Sequence, residues 1–482
     1  MSVLFKTLTL GLSLCLLMGF QASGKAVTPV ASDPVLLQTE SQLENAQYAE
    51  AMKTLNSFLK KQPRHLNALC LRARAYREQI DITQAGWEKK YQLAEADLAL
   101  AQKIAPQHSQ IYVERSLLFM KKIEPNKALQ EIEAAIKVNP QEARLYDLLS
   151  LYAILNSQYW AGIKALDKYV ALKPQDPEAY FKRAASYYSL RRELSKPLAS
   201  GDKPEQAEPW ILERALNDLN QALRLNPQYL PALGERAYLY TELAQFSQAL
   251  ADYDQALVYL APMDPAQVLK EFQLEKKEFL RIYHQGRISV LIQIPDYDLA
   301  KPSLAILDPL IAESNSVVKV DYLKQKGQLY FSVGEYGLSE KMWTEYIRVF
   351  NQEYGGTHAE EWAYLCYSQF WQKKWGELLK TSEKASENDW GNACLLPAAH
   401  AKLFNGDLKQ AQADYAFLLG GSDPNFDSEY HFTGSVGIRF FPQPWEKGTA
   451  AKTVLAEDFA EFEKRGWAPP ELAEIKKGLG LK

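Results

Sequence analysis

The sequence predicts an all-α solenoid of stacked helix–turn–helix pairs, and three recurrences predict it. Proline returns behind successive helical patterns at 63, 106, 140, 174 and 227, at intervals of 43, 34, 34 and 53 residues. Small residues recur twelve places before each of these prolines: Ala51, Ala94, Ala128, Gly162 and Ala215. Large apolar residues recur eight places before, as Leu55, Leu98, Ile132, Leu166 and Leu219. A fixed period of this length is the mark of a repeat architecture and takes precedence over local propensity. The two longer intervals equal the 34-residue period plus insertions of 9 and 19 residues.

Each recurring position has a packing reason. Antiparallel helices approach closely only where side chains are small, so Ala, Gly or Ser recurs at the crossing. The tenth residue after each proline is small as well: Ala73, Ser116, Ser150, Ala184 and Ala237. Five places before stand Phe58, Ala101, Ala135, Tyr169 and Ala222, and thirteen after stand Tyr76, Phe119, Ala153, Tyr187 and Tyr240. Proline ends the second helix because it lacks an N–H and clashes with the preceding turn. A single pair cannot bury its apolar faces, so the pairs must stack. A further unit keeps the register with Ala249, Tyr253 and Ala256, its proline slipping by one place to Pro262.

Leu230 to Leu260, LPALGERAYLYTELAQFSQALADYDQALVYL, and Ala215 to Pro227, ALNDLNQALRLNP, show the pattern most fully. On these residues the chain resembles the tetratricopeptide-repeat family, of the exported or periplasmic type, over residues 45–262. The resemblance implies a right-handed superhelix, here of about nine or ten pairs. Residues 263–420 keep a degenerate form of the pattern, with Gly327, Ser339, Tyr330, Trp343 and Tyr346 in one pair. Trp362–Ala385 and Leu395–Leu418 form two more, and 263–316 is helical but weakly repetitive.

Elsewhere the texture changes. Residues 195–209, SKPLASGDKPEQAEP, have loop composition and join two helices of one pair. The insertion at Gln79–Lys90 is charged and free of proline, so it is expected to lengthen helices. Residues 421–482 form a small mixed tail expected to cap the last repeat, with a strand over Val436–Phe441 and helices over Thr453–Arg465 and Pro470–Gly478.

Residues 1–24 carry the pattern of a signal peptide: Lys6, an apolar run from Leu8 to Phe20, then Ala22-Ser23-Gly24. That run is shorter than the ~20 residues of a membrane helix. Residues 25–44 form an N-terminal segment before the repeats. Export to a periplasmic or other extracytoplasmic compartment follows as an expectation, with an uncleaved anchor as the alternative. A net charge of -4 with no long run of one sign excludes a basic nucleic-acid footprint. Cys70, Cys366 and Cys394 lie beyond the leader in no metal-binding spacing; they are small buried side chains, or the last two form a bridge.

No catalytic, cofactor or metal pattern emerges. The six histidines form no spaced metal pair, and Gly434-Ser435-Val436-Gly437 is not a nucleophile elbow. Asp296 and Asp298 precede a helix and suit capping. The reading is therefore a non-enzymatic envelope scaffold or adaptor. The alternatives are an accessory subunit of a surface-polymer or secretion apparatus, and a hydrolase carried by the irregular C-terminal half.

The resemblance implies that protein segments lie on the face formed by the first helix of each pair. Mapped onto this chain, that face takes in Arg74, Arg77, Asp147, Phe181, Tyr188, Tyr238 and Glu242 as partner-binding candidates. Cys70, Glu78, Val113, Met120, Lys121, Ile154 and Thr241 line it too, while Leu117, Leu151 and Leu155 serve either the face or the core. The face is charged at one end and apolar and aromatic further on, which suits an extended segment or an amphipathic helix with apolar anchors.

Overall fold

Each of the six prolines of the ladder, Pro63 to Pro262, falls two residues beyond the end of a helix, as its missing N–H requires. The computed structural model describes residues 33–194, 209–356, 359–387, 394–418, 449–470 and 472–481. Among them the chain is all-α, and it divides into two compact units between Phe279 and Leu280.

The first unit stacks six antiparallel pairs: α1 (Pro34–Glu44) with α2 (Tyr48–Lys61), α3 (Leu66–Glu78) with α4 (Trp87–Ile104), and α5 (Ser109–Lys121) with α6 (Pro125–Val138). Then come α7 (Ala143–Leu155) with α8 (Tyr159–Leu172), α9 (Pro177–Leu194) with α10 (Pro209–Leu225), and α11 (Leu230–Glu242) with α12 (Phe246–Leu260). A short helix α13 (Pro265–Phe272), capped by the Asp264 carboxylate, follows. Helix α14 (Lys276–Gln293) runs from this unit into the next.

The second unit continues with α15 (Tyr297–Ala312), which carries Pro302 and Pro309 internally. Helices α16 (Ser316–Ser332) and α17 (Tyr336–Tyr354) form a pair, as do α18 (Ala359–Trp371) with α19 (Trp375–Glu387) and α20 (Leu395–Phe404) with α21 (Leu408–Leu418). Helices α22 (Thr449–Lys464) and α23 (Leu472–Gly478) come last. Counting α14 with α15, the described residues hold ten pairs, an all-α solenoid in each unit.

The crossing residues are where the sequence puts them. Ala51, Ala94, Ala128, Ala215 and Ala249 are fully buried. At Gly162 a Cβ would stand 3.0 Å from Ile154 Cγ1, so α7 and α8 meet closely enough that an alanine would press on Ile154. Gly327 has the same role in the second unit, where a Cβ would fall 2.8 Å from the buried Trp343 ring. Ser339 secures that crossing by donating its hydroxyl to the Gly327 carbonyl at 3.0 Å.

One turn joins the first helix to the second in most pairs. Three residues bridge the helices, and the middle one is left-handed: Ala46, Ile123, Ser157, Ala244 and Lys373, with Gly334 and Gly406 in the same place. The following N–H returns to a carbonyl five residues back, as from Glu124 to Phe119 at 3.2 Å and from Gln158 to Ala153 at 2.8 Å. This is the Schellman arrangement, which satisfies the last helical carbonyls. The α14–α15 connection contains Pro295 instead.

The insertion at Gln79–Lys90 differs from the helical extension expected for it. Helix α4 spans 18 residues against 14 for α6, so only part of the insertion is helical. Residues 79–86 form a loop because Asp81 takes the Thr83 N–H at 3.0 Å and the Thr83 hydroxyl at 2.7 Å, a local competitor of the helix. Gly86 then turns the chain with φ +85°. The leader, the 195–208 insertion and the expected strand at 436–441 lie outside the described residues.

Helices α22 and α23 pack on the last pairs. Leu455, Phe459, Phe462, Leu472 and Ile475 are buried in one cluster with Phe370, Leu403 and Tyr415. Trp467 follows α22 and takes Lys373 over its ring at 4.5 Å. Cys366 and Cys394 form a disulfide linking α18 to the start of α20.

Candidate partner-binding face

The register that sets the crossings also sets a polar ladder. Nine residues after a proline stands an arginine of the first helix; about nine before the next stands an acid of the second. Arg72 grips Asp97 with two bonds of 2.8 and 2.7 Å, and Arg183 grips Asp218 in the same way. Arg236 grips Asp252 with two bonds of 2.7 Å. Each arginine also reaches the preceding pair: Arg72 to Asn56 at 3.0 Å, Arg183 to Asp167 at 2.9 Å and Arg236 to Asn220 at 2.8 Å. Arg115 makes a looser version with Glu131, at 3.4 Å. The pair α7–α8 alone among these has Leu149 and Ala165 at the two positions. Three tyrosines bond back to the proline carbonyl, Tyr112 to Pro106, Tyr146 to Pro140 and Tyr180 to Pro174, at 2.9 to 3.1 Å.

Small buried crossings, a proline two residues past each second helix and a 34-residue register now stand together. The helix pairs resemble tetratricopeptide repeats.

No protein-family model and no curated protein sequence matches the chain. Solved structures similar to parts of it include the C-terminal part of a TPR repeat-containing protein from Cytophaga hutchinsonii, 17% identical, covering 59% of this chain and 98% of that one with a TM-score of 0.41. A tetratricopeptide repeat protein from Parabacteroides merdae is 17% identical over 59% of this chain and 98% of its own, with a TM-score of 0.38. A thermophilic TPR protein of Thermus thermophilus is 20% identical over 45% and 98%, with a TM-score of 0.33.

On the first-helix face, three of the four charged candidates are already paired with neighbouring charges. Arg77 is buried and meets Glu78 at 2.9 Å and Glu114 at 3.2 Å. Those carboxylates outweigh burial and raise the guanidinium's pKa above its ordinary value. Asp147 accepts from Lys182 at 2.8 Å, and Lys182 also meets Glu178 at 2.9 Å. Glu242 meets Arg191 at 3.1 Å. Arg74 is half-buried and lines a small recess with Glu40, Asn67, Cys70, Leu71, Gln110 and Glu114. Burial pushes the Cys70 thiol well up, which leaves it an unreactive neutral side chain.

The aromatic candidates sit deeper than the sequence suggests. Phe181 is 2% exposed and packs edge-on against Tyr229, and Tyr188 is 3% exposed. The Tyr188 and Tyr238 hydroxyls bond at 2.8 Å, tying α9 to α11, and burial pushes the Tyr188 phenol up. What remains accessible is an apolar strip: Leu117 and Met120 on α5, and Leu151, Ile154 and Leu155 on α7, all half-exposed. Leu117, Met120, Leu151 and Leu155 rest on the core formed by Val113, Ile132, Leu145 and Tyr152.

The sequence reading passed over two groups. The Arg–acid ladder was available as a recurrence nine places from each proline. The other lies in the second unit, where His400, fully buried, bonds through Nδ1 to the Tyr415 hydroxyl at 2.7 Å and through Nε2 to Asp458 at 3.1 Å. All three side chains are buried, and the line ties α20, α21 and α22 together. Among the described residues no cluster of His, Cys, Asp and Glu is placed to hold a metal ion, and no helix is long and apolar enough to cross a membrane.

Proposed function

We propose that the chain is a protein-binding scaffold whose first-helix face receives an extended or helical segment of another protein. The observation that carries this reading is the apolar strip Leu117, Met120, Leu151, Ile154 and Leu155. It runs in register across α5 and α7 and stays half-exposed, while most charges beside it are already paired. Apolar anchors on such a strip supply affinity, and the polar rim around them supplies orientation. Arg74 at one end of the face is the charge best placed to orient an incoming carboxylate or carbonyl.

The compartment in this proposal is extracytoplasmic. The leader pattern of residues 1–24 supports it, and so does the Cys366–Cys394 disulfide, a bond that persists in oxidising surroundings. An adaptor of the envelope fits both features.

A photo-crosslinking residue at Leu151 tests the face without emptying the core. In cells producing the full chain, crosslinking at 151 should trap a discrete partner, while the same residue at exposed Lys164 on α8 should not. Equal trapping at both positions, or trapping at 164 alone, refutes the assignment of the face.

A further inference from the structure

The register that sets Glu114 against Arg77 sets Glu235 against Tyr188. Both acids stand eight residues after a proline, and Arg77 and Tyr188 both stand fourteen after one. At the first site a guanidinium answers the carboxylate at 3.2 Å. At the second there is a phenol, already engaged with Tyr238 at 2.8 Å. Glu235 is 3% exposed, and its Oε1 has no hydrogen-bond partner. An ionised carboxylate in such a place is costly, because burial removes its water and nothing replaces it.

Among the described side chains, its neighbours offer it no cation. Tyr188 faces Glu235 from α9 and Tyr253 from α12, both buried, with Tyr238 on its own helix. Asp252 on α12 is held by Arg236, and Glu242 at the end of α11 is held by Arg191. Burial pushes the carboxyl up to about 7.

We propose that Glu235 is a proton-operated latch on the seam between α9 and α11. Protonated, it lies neutral among the tyrosines, and the Tyr188–Tyr238 and Arg191–Glu242 contacts hold the helices together. Deprotonated, it draws water into the seam and the two helices separate more readily. The open seam favours the ionised acid and the closed seam the neutral one, so closure weakens as pH rises from about 4.5 toward 7 and changes little above. The latch is a property of the chain alone and holds whether or not the face has a partner.

Hydrogen exchange on the full-length chain, followed peptide by peptide and corrected for the intrinsic pH dependence of exchange, tests it. Between pH 5.5 and 8.0 the wild-type peptides of 177–194 and 230–242 should lose roughly 25-fold in protection, the factor set by a carboxyl shifted from its ordinary value to about 7. Peptides of α3 and α5, where Arg77 answers Glu114, should not change. Glu235→Leu, which copies Leu71 and Leu148 at the same register position, should abolish the pH-dependent loss. Glu235→Gln provides the same comparison should the leucine variant fold poorly. Equal pH-dependent losses in wild type and variant, or a wild type that does not respond to pH, overturn the latch.

Discussion

Asp458→Ala should unfasten the final helices of the second unit. His400 and Asp458 are 0% and 1% exposed and meet at 3.1 Å, with Tyr415 bonded to the other ring nitrogen at 2.7 Å. The contacts suit a ring that donates from Nε2–H to Asp458 and accepts the tyrosine proton at Nδ1. Asp458→Ala strands a buried N–H and leaves a void beside it, at a cost of about 2–3 kcal/mol. Tyr415→Phe keeps the ring in the core and removes the donor alone, which costs about 1–3 kcal/mol. Both changes act through one imidazole, so the double variant should cost less than the sum, by at least ~0.5 kcal/mol. Urea unfolding followed by tryptophan fluorescence reads the second unit through buried Trp343 and its partly buried neighbours Trp371, Trp375 and Trp467. A shift below ~1 kcal/mol for Asp458→Ala, or strictly additive costs, would show that the imidazole is not the junction that holds α22.

Two further outcomes are expected. Asp252→Ala should cost about 2–3 kcal/mol, below the range for a sealed pair because Arg236 is 21% exposed. Adding Arg236→Leu, which copies the Leu149–Ala165 pairing of α7–α8, should recover part of that loss; a further loss on thermal unfolding would count against the ladder as the source of the cost. Reducing the Cys366–Cys394 bond, whose cysteines are 28 residues apart, should destabilise the second unit by about 3–4 kcal/mol and leave the first unit's transition in place. No shift in the second transition under a phosphine reductant, with both thiols shown to be free, would mean that the bond carries no stability.

The ladder was legible because sterics at a helix crossing depend on residue size alone. Ala94, Ala128 and Ala215 are fully buried for the reason that makes them recur. The turns were not legible in the same way. A left-handed residue normally announces itself as glycine, yet five of the first-to-second-helix turns place Ala46, Ile123, Ser157, Ala244 and Lys373 there. The returning hydrogen bonds of the Schellman turn outweigh the ~1 kcal/mol preference for glycine. Among these turns only Gly334 and Gly406 show the signal. The depth of Phe181 and Tyr188 was hidden for another reason. Spacing along α9 gives the direction of a side chain, but the approach of α11, fixed by the Tyr188–Tyr238 bond, decides what is left exposed. The His400 junction joins residues 58 positions apart, beyond the reach of any local pattern.

The face and the ladder bear on each other at α7–α8. Alanine crossings give adhesion but little register, since a smooth seam can slide; a bidentate arginine bonded also to the preceding pair fixes each repeat against its neighbour. Arg72, Arg183 and Arg236 do this for three pairs, and Arg115 does so more loosely for a fourth. The α7–α8 pair has no such staple, and its crossing relies on Gly162 and close contact with Ile154. The same helix α7 presents three of the five strip residues, Leu151, Ile154 and Leu155. Side chains there are free to serve two surfaces, resting on the core from below and facing a partner from above. A repeat whose two helices are not clamped by a bidentate arginine can adjust its internal spacing when a segment docks, at less cost than one whose arginine must first release a carboxylate. The rung without the arginine clamp thus coincides with the strip that the proposed function uses.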